Sequence, residues 1–351
     1  YVIFEGPGMD AFAESPEWGG SLVIFPFMYY ETYGDDSLIK KYYPNMRRYV
    51  DYLKTRADKG ILSFGLGDWY DYGDFRAGFS RNTPVPLVAT AHYYMTVMYL
   101  VQAAKMVGND FDIHYYTSLA QDIMVAFNKC FLHKDTAQYG TGSQCSNALP
   151  LFLQMTQDAD EQGNYRPDAD LNEKVFANLI KDVEAHGNRL TTGDVGNRYL
   201  IQTLARNGEH ELIYKMFNHE EAPGYGFQLK FGATTLTEQW DPRQGSSWNH
   251  FMMGQIDEWF FNSLVGIRPS TTPKQGYQKF IIAPQPVGDL KYVKASYETL
   301  YGTINVDWTC ENGTFTLNVS VPVNTTAVVY LPGEKEPKEI QSGTYQLICA
   351  K

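Results

Sequence analysis

Two hydrophobic patterns divide the chain, and the change between them falls near residues 269–276. Before this point, apolar positions recur every three to four residues, which is the period of an α-helix. After it, apolar and polar positions alternate over short segments separated by Gly and Asn, which is typical of strands joined by tight turns. The pattern predicts a mainly α-helical domain over residues 1–270 and a smaller β domain over residues 271–351.

The helical region alternates two kinds of predicted helix. Three segments are apolar on nearly every side and predict buried helices. They are Ser21–Tyr33, Leu87–Val107 and Val195–Ala205. Three others carry one apolar stripe, which predicts helices with one face in water. They are Leu38–Lys54, Phe111–Phe131 and Asn172–His186, and the stripe of the first consists of Leu38, Tyr42, Met46, Tyr49, Val50 and Leu53.

Further helices are predicted near Ala148–Met155, His210–Phe217 and His250–Val265, which makes about nine. A buried helix followed by an amphipathic one, repeated along the chain, predicts an (α/α)6 toroid, in which one ring of helices faces the axis and the other faces water. Six hairpins need twelve helices, so the toroid is expected to lack its first helices. The chain begins with Tyr1 and shows no signal peptide, so we expect it to be part of a longer protein, whose compartment stays open.

The β region contains five segments that alternate apolar and polar residues. They are Leu290–Tyr297, Gly302–Thr309, Thr314–Val321, Ala327–Leu331 and Thr344–Cys349. Short strands with close turns predict a small antiparallel β-sandwich. The predicted fold is therefore an incomplete (α/α)6 barrel followed by this sandwich.

Charge and composition exclude several classes of function. The 351 residues include 29 basic and 40 acidic ones, for a net charge of −11. Such a chain is poorly suited to nucleic acid or to anionic membranes, which both require clustered Lys and Arg. No apolar run approaches the ~20 residues of a membrane span. We therefore expect neither nucleic acid nor membrane as a partner.

Cysteine and histidine give no sign of a metal site, and no cofactor fingerprint such as GxGxxG or a P-loop is present. The seven His are dispersed, and the four cysteines, which form no CxxC, are interpreted as free, mostly buried thiols. Cys310 and Cys349 could pair if their strands are neighbours, and the sequence leaves this open. We predict no metal and no cofactor.

The candidate chemistry lies in four loops rich in Trp and carboxylate, three of which lead towards predicted helices. They are Ser15–Gly20, Gly67–Asp74, Gly232–Asp241 and Ser246–His250. In a helical toroid, the loops that enter the inner helices open at one end, so these loops should meet at one pocket. Aromatic faces stack on sugar C–H faces and carboxylates accept bonds from sugar hydroxyls, so the composition favours a carbohydrate site.

Each residue also has an ordinary structural interpretation. The tryptophans could be core anchors, and Asp68 could cap a helix or close a turn. Glu238 could be a surface carboxylate, and His250 could be a core histidine. These alternatives stay open for each residue taken alone.

Several motifs resemble those of the bacterial α-L-rhamnosidases, the family 78 glycoside hydrolases, over essentially the whole chain. The most specific is Gly232–Asp241 followed by Trp248-Asn249-His250-Phe251. The others are Thr192–Gly196, Gly67-Asp68-Trp69 and Ile282–Pro286. The resemblance implies an (α/α)6 catalytic barrel, a β-sandwich and hydrolysis of terminal α-L-rhamnosides with inversion at the anomeric carbon.

The resemblance also implies roles for individual residues. Glu238 would be the general base that activates water, Trp18 and Trp69 the aromatic walls around the rhamnose ring, and His250 a hydroxyl-binding residue. The substrate-binding set is completed by residues of the same motifs. They are Asp68, Trp240 and Asn249.

Two departures from the family pattern stand out. Gly20 occupies the position after Trp-Gly where the family usually has Asp. The family's general acid lies in a loop upstream of every segment here, so we expect the partners to be a rhamnose-containing saccharide or glycoside and the N-terminal part of the same protein. Two alternatives remain, namely another toroidal glycosidase or lyase that acts on a different sugar, and a non-catalytic carbohydrate-binding fragment.

Overall fold

The computed structural model describes residues 14–159, 165–270 and 276–350. These residues group into two compact units. The first consists of the described residues within Tyr1–Phe25, Ile39–Thr203 and Met216–Gly254, and the second of those within Pro26–Leu38, Leu204–Lys215 and Gln255–Lys351. A helical region followed by a β region is confirmed, whereas the boundary predicted at residue 270 stays a prediction.

The helical region begins with five helices. They are α1 (Pro16–Gly19), α2 (Ser21–Tyr33), α3 (Ser37–Arg56), α4 (Val85–Val107) and α5 (Asp110–Phe131). A β-hairpin of β1 (Leu132–His133) and β2 (Gln138–Tyr139) leads into α6 (Gln144–Phe152). Strands β3 (Gln157–Ala159) and β4 (Tyr165–Pro167) pair antiparallel.

The remaining helices are shorter on average. They are α7 (Ala169–Ala185), α8 (Gly196–Arg206), α9 (His210–Phe217), α10 (Tyr225–Lys230) and α11 (Ile256–Trp259). No helix among the described residues is both long enough and apolar enough to cross a membrane.

Local sequence explains where the best-defined helices begin and end. The buried helix α4 ends because Gly108 adopts a left-handed conformation (φ 75°), which glycine tolerates without steric cost. The amphipathic helix α7 begins at Asp168, whose carboxyl accepts a hydrogen bond from the Leu171 amide. Its apolar stripe, which includes Val175, Leu179 and Val183, is fully buried, as its spacing predicted.

Three predictions about helices are wrong in detail. Helix α2, which was predicted to be buried, exposes Leu22, Phe25 and Met28. The predicted helix His250–Val265 is broken into a 3₁₀ turn at Phe251–Met253, the short α11 and a π-helical turn at Phe260–Val265. In α3, Ile39 and Tyr43 are buried with Met46, Val50 and Leu53, so the buried stripe begins one residue later than predicted.

The β region forms two four-stranded sheets. One has the order β12–β9–β8–β7 and is antiparallel throughout, with β7 (Tyr292–Thr299), β8 (Gly302–Glu311), β9 (Thr314–Val321) and β12 (Gly343–Ala350). The other has the order β11–β10–β6–β5, with β5 (Ile267–Pro269), β6 (Lys279–Ile282), β10 (Thr326–Val329) and β11 (Lys338–Ile340). Strands β10 and β6 run parallel, so this sheet is mixed rather than antiparallel.

The cysteines are free thiols, as predicted, but only Cys145 is buried. Cys310 and Cys349 both lie opposite Phe315, one on each neighbouring strand. Two strand spacings separate their Cα atoms by about 10 Å, since paired residues are about 5 Å apart. A disulfide needs a Cα separation below about 7 Å, so these two thiols cannot pair in this fold.

Candidate functional site

Four loops of the first compact unit are hydrogen-bonded in series. We call them the Trp18 loop (residues 14–20), the Trp69 loop (65–74), the Asp194 loop (191–197) and the Glu238 loop (232–250). The four loops predicted to carry the chemistry are all included, and the Asp194 loop is added to them.

Glu17 connects the Trp18 loop to the Trp69 loop. Its carboxyl accepts a hydrogen bond from the Gly67 amide at 3.1 Å and another from the Ser15 hydroxyl. The Ser15 hydroxyl in turn accepts from the Leu66 amide at 3.4 Å. Because protein atoms enclose the Glu17 carboxyl, its pKa rises to about 7 in spite of these donors.

Asp68 connects the Trp69 loop to the Asp194 loop. Its carboxyl accepts a bond from the Gly196 amide at 2.6 Å, and the Asp194 amide donates to the Trp69 carbonyl oxygen at 2.7 Å. The two backbones approach closely because Gly193 and Gly196 have no side chains. A Cβ on Gly193 would collide with the Trp69 carbonyl, and one on Gly196 would lie 2.6 Å from the Asp68 carboxyl.

Trp240 connects the Asp194 loop to the Glu238 loop. Its indole N–H donates to the Thr192 carbonyl oxygen at 3.1 Å, and its ring packs edge-on against Tyr225 at 5.4 Å between centroids. Trp240 is only 1% exposed. This buried side chain therefore anchors the Glu238 loop to the rest of the site.

Glu238 itself is half-buried, and its carboxylate is held from one side. The Glu238 amide donates to the Ser247 carbonyl at 2.9 Å, and the Ser247 amide donates back to the Glu238 carboxylate at 3.1 Å. The His250 amide bonds the Leu236 carbonyl at 3.0 Å, so the two arms of the loop run side by side. This geometry orients an ionisable carboxylate and leaves part of it open to solvent.

Three other carboxyl groups of these loops are buried. Burial raises the pKa of Asp68 to about 7, and the nearby charge of Asp71 adds to this effect. The pKa of Asp71 is also raised by burial, although the Arg81 and Asn82 amides donate to its carboxyl. Burial raises the pKa of Asp194 well above its usual range, and the charges of Asp68 and Glu238 raise it further.

Sequence reasoning did not select Asp194 or Tyr70 as site residues. Asp194 lies in the Thr192–Gly196 motif, which was a usable signal. Tyr70 has a left-handed backbone (φ 59°), which is rare for an aromatic residue and is often found at functional sites. The pKa of Tyr70 is raised mainly by burial and then by the charges of Glu238 and Asp194. Nothing local in the sequence predicts this conformation.

The predicted binding residues differ in exposure. Trp18 is 37% exposed, His250 and Trp69 are half-buried, and Asn249 is exposed. The Trp69 ring packs edge-on against Phe79. Asp68 and Trp240 are fully buried; one Asp68 carboxyl oxygen accepts a bond from a backbone amide, and the Trp240 indole donates to a backbone carbonyl. The role predicted for each of these residues stays a prediction.

Gly20 lies in a confined place. A Cβ there would be 3.1 Å from both the Pro16 carbonyl and the Thr96 hydroxyl, which is tighter than an ordinary contact. An Asp at this position would require one of these neighbours to move. Within the described residues, no group of three or more His, Cys, Asp or Glu side chains could hold a metal ion.

Comparison with protein-family models identifies both regions of the chain. Residues 3–264 match the bacterial alpha-L-rhamnosidase 6 hairpin glycosidase domain. The chain belongs to the bacterial α-L-rhamnosidase family. The helical region is thus the six-hairpin glycosidase domain of this family, and residues 266–346 match its C-terminal domain, which confirms the fold class predicted from sequence.

Known α-L-rhamnosidases are similar over nearly the whole chain. A curated alpha-L-rhamnosidase of Streptomyces avermitilis is 28% identical over 335 residues, which are 92% of this chain and 30% of that protein. The structure of the Dictyoglomus thermophilum alpha-L-rhamnosidase has a TM-score of 0.84 at 30% identity, and the match covers 41% of that protein. The structure of the Streptomyces avermitilis alpha-L-rhamnosidase complexed with L-rhamnose has a TM-score of 0.83 at 24% identity, and the match covers 34% of that protein. At this identity the similarity supports the fold alone. The chain thus spans less than half of these family members.

Proposed function

We propose that this chain carries the general-base side of an α-L-rhamnosidase active site, which removes terminal α-L-rhamnose by inversion. The observation that supports it best is the Glu238 carboxylate, half-open to solvent and oriented by the Ser247 amide. Its loop is joined through Trp240 and Asp68 to the loop that carries Trp69. Membership of the family supports the choice of sugar.

The chemistry assigns the proton acceptor to Glu238. In inverting hydrolysis a carboxylate activates a water molecule on the face of the sugar opposite the leaving group, and a second carboxyl group protonates the leaving oxygen. Burial raises the pKa of the neighbouring Asp194 well above its usual range, whereas Glu238 is more exposed and is oriented by the Ser247 amide. Glu238 is then free to accept the proton of the attacking water.

The sugar would contact the aromatic side chains next to this base. The exposed face of Trp18 and the half-buried Trp69 offer apolar surface to the ring and to its C6 methyl group. His250 would bond a sugar hydroxyl from the same loop as Glu238. The similarity to proteins named alpha-L-rhamnosidase supports rhamnose as the monosaccharide.

The proton donor would come from another segment of the full-length protein. The carboxyl groups of Asp68, Asp71 and Asp194 are buried, and those of Asp68 and Asp71 accept hydrogen bonds from backbone amides. A general acid must reach the glycosidic oxygen of a bound substrate. Buried carboxyl groups are poorly placed to make this contact. This proposal matches the upstream acid that the family resemblance implies.

Glu238→Gln in the full-length protein tests the proposal. With 4-nitrophenyl α-L-rhamnoside we expect kcat to fall by roughly 10²–10⁴-fold, because proton transfer to a positioned base is lost, while KM changes little. Glu220→Gln is the matched control, since Glu220 is an exposed glutamate of the same unit, and it should retain wild-type kcat. Near-normal turnover by Glu238→Gln would overturn the base assignment.

The stereochemistry and the sugar need separate assays. Proton NMR of the first-formed rhamnose should show inversion at the anomeric carbon, and release of the retained anomer would contradict the mechanism. A panel of nitrophenyl glycosides identifies the sugar. Turnover of another glycoside, but not of the rhamnoside, would indicate a different glycosidase.

A further inference from the structure

We propose that Glu17 is a positioning residue for sugar binding, which holds the Trp18 and Trp69 indoles at a fixed separation. This role rests on the proposed function, because the two tryptophans are its aromatic walls. Glu17 itself would not touch the sugar. It would act through the adjacent residue Trp18 and through the amide of Gly67, two residues before Trp69.

The first observation is that Glu17 bonds to a segment distant in sequence. One carboxyl oxygen accepts from the Gly67 amide, and the other accepts from Ser15, whose hydroxyl accepts from the Leu66 amide. The Glu17 and Ser15 side chains thus accept hydrogen bonds from two successive backbone N–H groups of the Trp69 loop. A backbone held at two successive amides has little freedom to move relative to the Trp18 loop.

The second observation is that the Trp69 loop is shaped to receive this carboxyl. Gly65 has a φ of 134°, and a Cβ on it would lie 2.8 Å and 2.9 Å from the two Glu17 carboxyl oxygens. Non-glycine residues rarely adopt such a φ. The contact therefore depends on a glycine both for conformation and for space.

The third observation is that core packing alone does not set the position of Trp18. Its side chain is 37% exposed, and the helix that carries it, α1, has only four residues. Gly19 lies against the Tyr49 hydroxyl, which fixes the other end of the loop. With Gly19 and Glu17 both held, the exposed indole between them has a defined place.

Kinetics of three variants in the full-length protein test the role. Glu17→Ala removes the acceptor, and we expect KM for 4-nitrophenyl α-L-rhamnoside to rise roughly tenfold, with kcat within about threefold of wild type, because binding common to substrate and transition state is lost. Glu17→Gln keeps an acceptor for the Gly67 amide and should recover most of this loss. Ser15→Ala is the milder second variant, should Glu17→Ala fail to fold, and should raise KM in the same direction.

A double-variant cycle separates positioning from general stability. If Glu17 acts through Trp18, then Glu17→Ala should add little in a Trp18→Ala background, because interacting residues are not additive. Val50→Ala, in the buried stripe of α3, is the control that lowers stability without raising KM. An unchanged KM in Glu17→Ala, a fully additive cycle, or an equal rise in KM with Val50→Ala would each overturn the positioning role.

The test also distinguishes this role from the proposed function. If the wild-type protein does not hydrolyse or bind rhamnosides, the proposed function fails, and the same variants are then compared on the sugar that the wild type binds. If the wild type hydrolyses rhamnosides and Glu17→Ala leaves KM unchanged, only the positioning role fails.

Discussion

Carboxyl groups of the site bind backbone amides from segments distant in sequence. Asp68 bonds the Gly196 amide, 128 residues away, and Glu17 bonds the Gly67 amide, 50 residues away. Such partners cannot be read from a sequence, because nothing adjacent to Asp68 indicates which segment it will meet. The Gly-Asp-Trp motif indicated that Asp68 is important. Only the fold shows that its carboxyl bonds another loop of the protein.

The buried Asp68 carboxyl should make stability depend on pH. Its pKa is about 7 in the fold against 3.8 for an ordinary aspartate, so between these values the folded protein holds a proton that the unfolded chain has released. The stability that this group contributes is present below pH 4 and is lost as pH rises towards 7. Its slope is at most about 1.4 kcal/mol per pH unit.

Asp68→Asn removes this titration and should flatten the curve of unfolding free energy against pH between 4 and 7. Urea unfolding at a series of pH values measures it. The control is Asp170→Asn, on the exposed first turn of α7, whose curve should remain parallel to that of the wild type. A slope that Asp68→Asn leaves unchanged would show that Asp68 keeps an ordinary pKa.

Trp18 and Trp69 should contribute to binding more than to stability. Replacement of either by Ala should weaken L-rhamnose binding by ~1–3 kcal/mol, since an aromatic contact and buried apolar area are lost. Isothermal titration measures the affinity, and thermal melting serves as the control. A variant that binds normally but melts much earlier would show that the residue is a core anchor.

At the scale of elements, hydrophobic periodicity located the helices but not always their buried faces. In α3, Leu38, Ile39, Tyr42 and Tyr43 offer two adjacent apolar rows, and only contacts from other elements select Ile39 and Tyr43. The segment His250–Val265 is apolar enough for one helix, yet the amide of its first residue, His250, bonds the Leu236 carbonyl in the other arm of the Glu238 loop. Backbone pairing within this loop overrides helical periodicity there.

The buried indole of Trp240 should stabilise the Glu238 loop more than the exposed indole of Trp248. Each donates its N–H to a backbone carbonyl at about 3 Å, but Trp240 is 1% and Trp248 44% exposed. Trp240→Phe leaves the buried Thr192 carbonyl without its donor and should cost ~1–3 kcal/mol. Trp248→Phe, which removes a bond made by a largely exposed indole, should cost under about 1 kcal/mol.

Chemical denaturation of the two variants measures these costs. Substrate kinetics add a second result, since a Trp240 that only anchors the loop should affect stability and kcat together. A rise in KM alone, with unchanged stability, would indicate that Trp240 contacts the sugar directly.

At the scale of the whole molecule, the sequence indicated the order of regions and the family, because both depend on patterns repeated over many residues. From the sequence we expected only that the loops would meet at one end of a helical barrel, and not the series of contacts that joins them. The Asp194 loop was absent from that expectation, because it contains no tryptophan and its contribution comes from backbone groups.

The last prediction concerns residues 1–351 expressed alone. They contain the proposed base and both tryptophans, so we expect L-rhamnose binding to be measurable by titration. We expect hydrolysis of 4-nitrophenyl α-L-rhamnoside to be weak, because general acid catalysis contributes typically 10²–10⁴-fold and the buried Asp68, Asp71 and Asp194 are poorly placed to supply it. Addition in trans of the remaining segments of the full-length protein should restore turnover if they carry the acid. Full activity of residues 1–351 alone would mean that a carboxyl group within this chain donates the proton, and Asp68→Asn, Asp71→Asn and Asp194→Asn would then identify it.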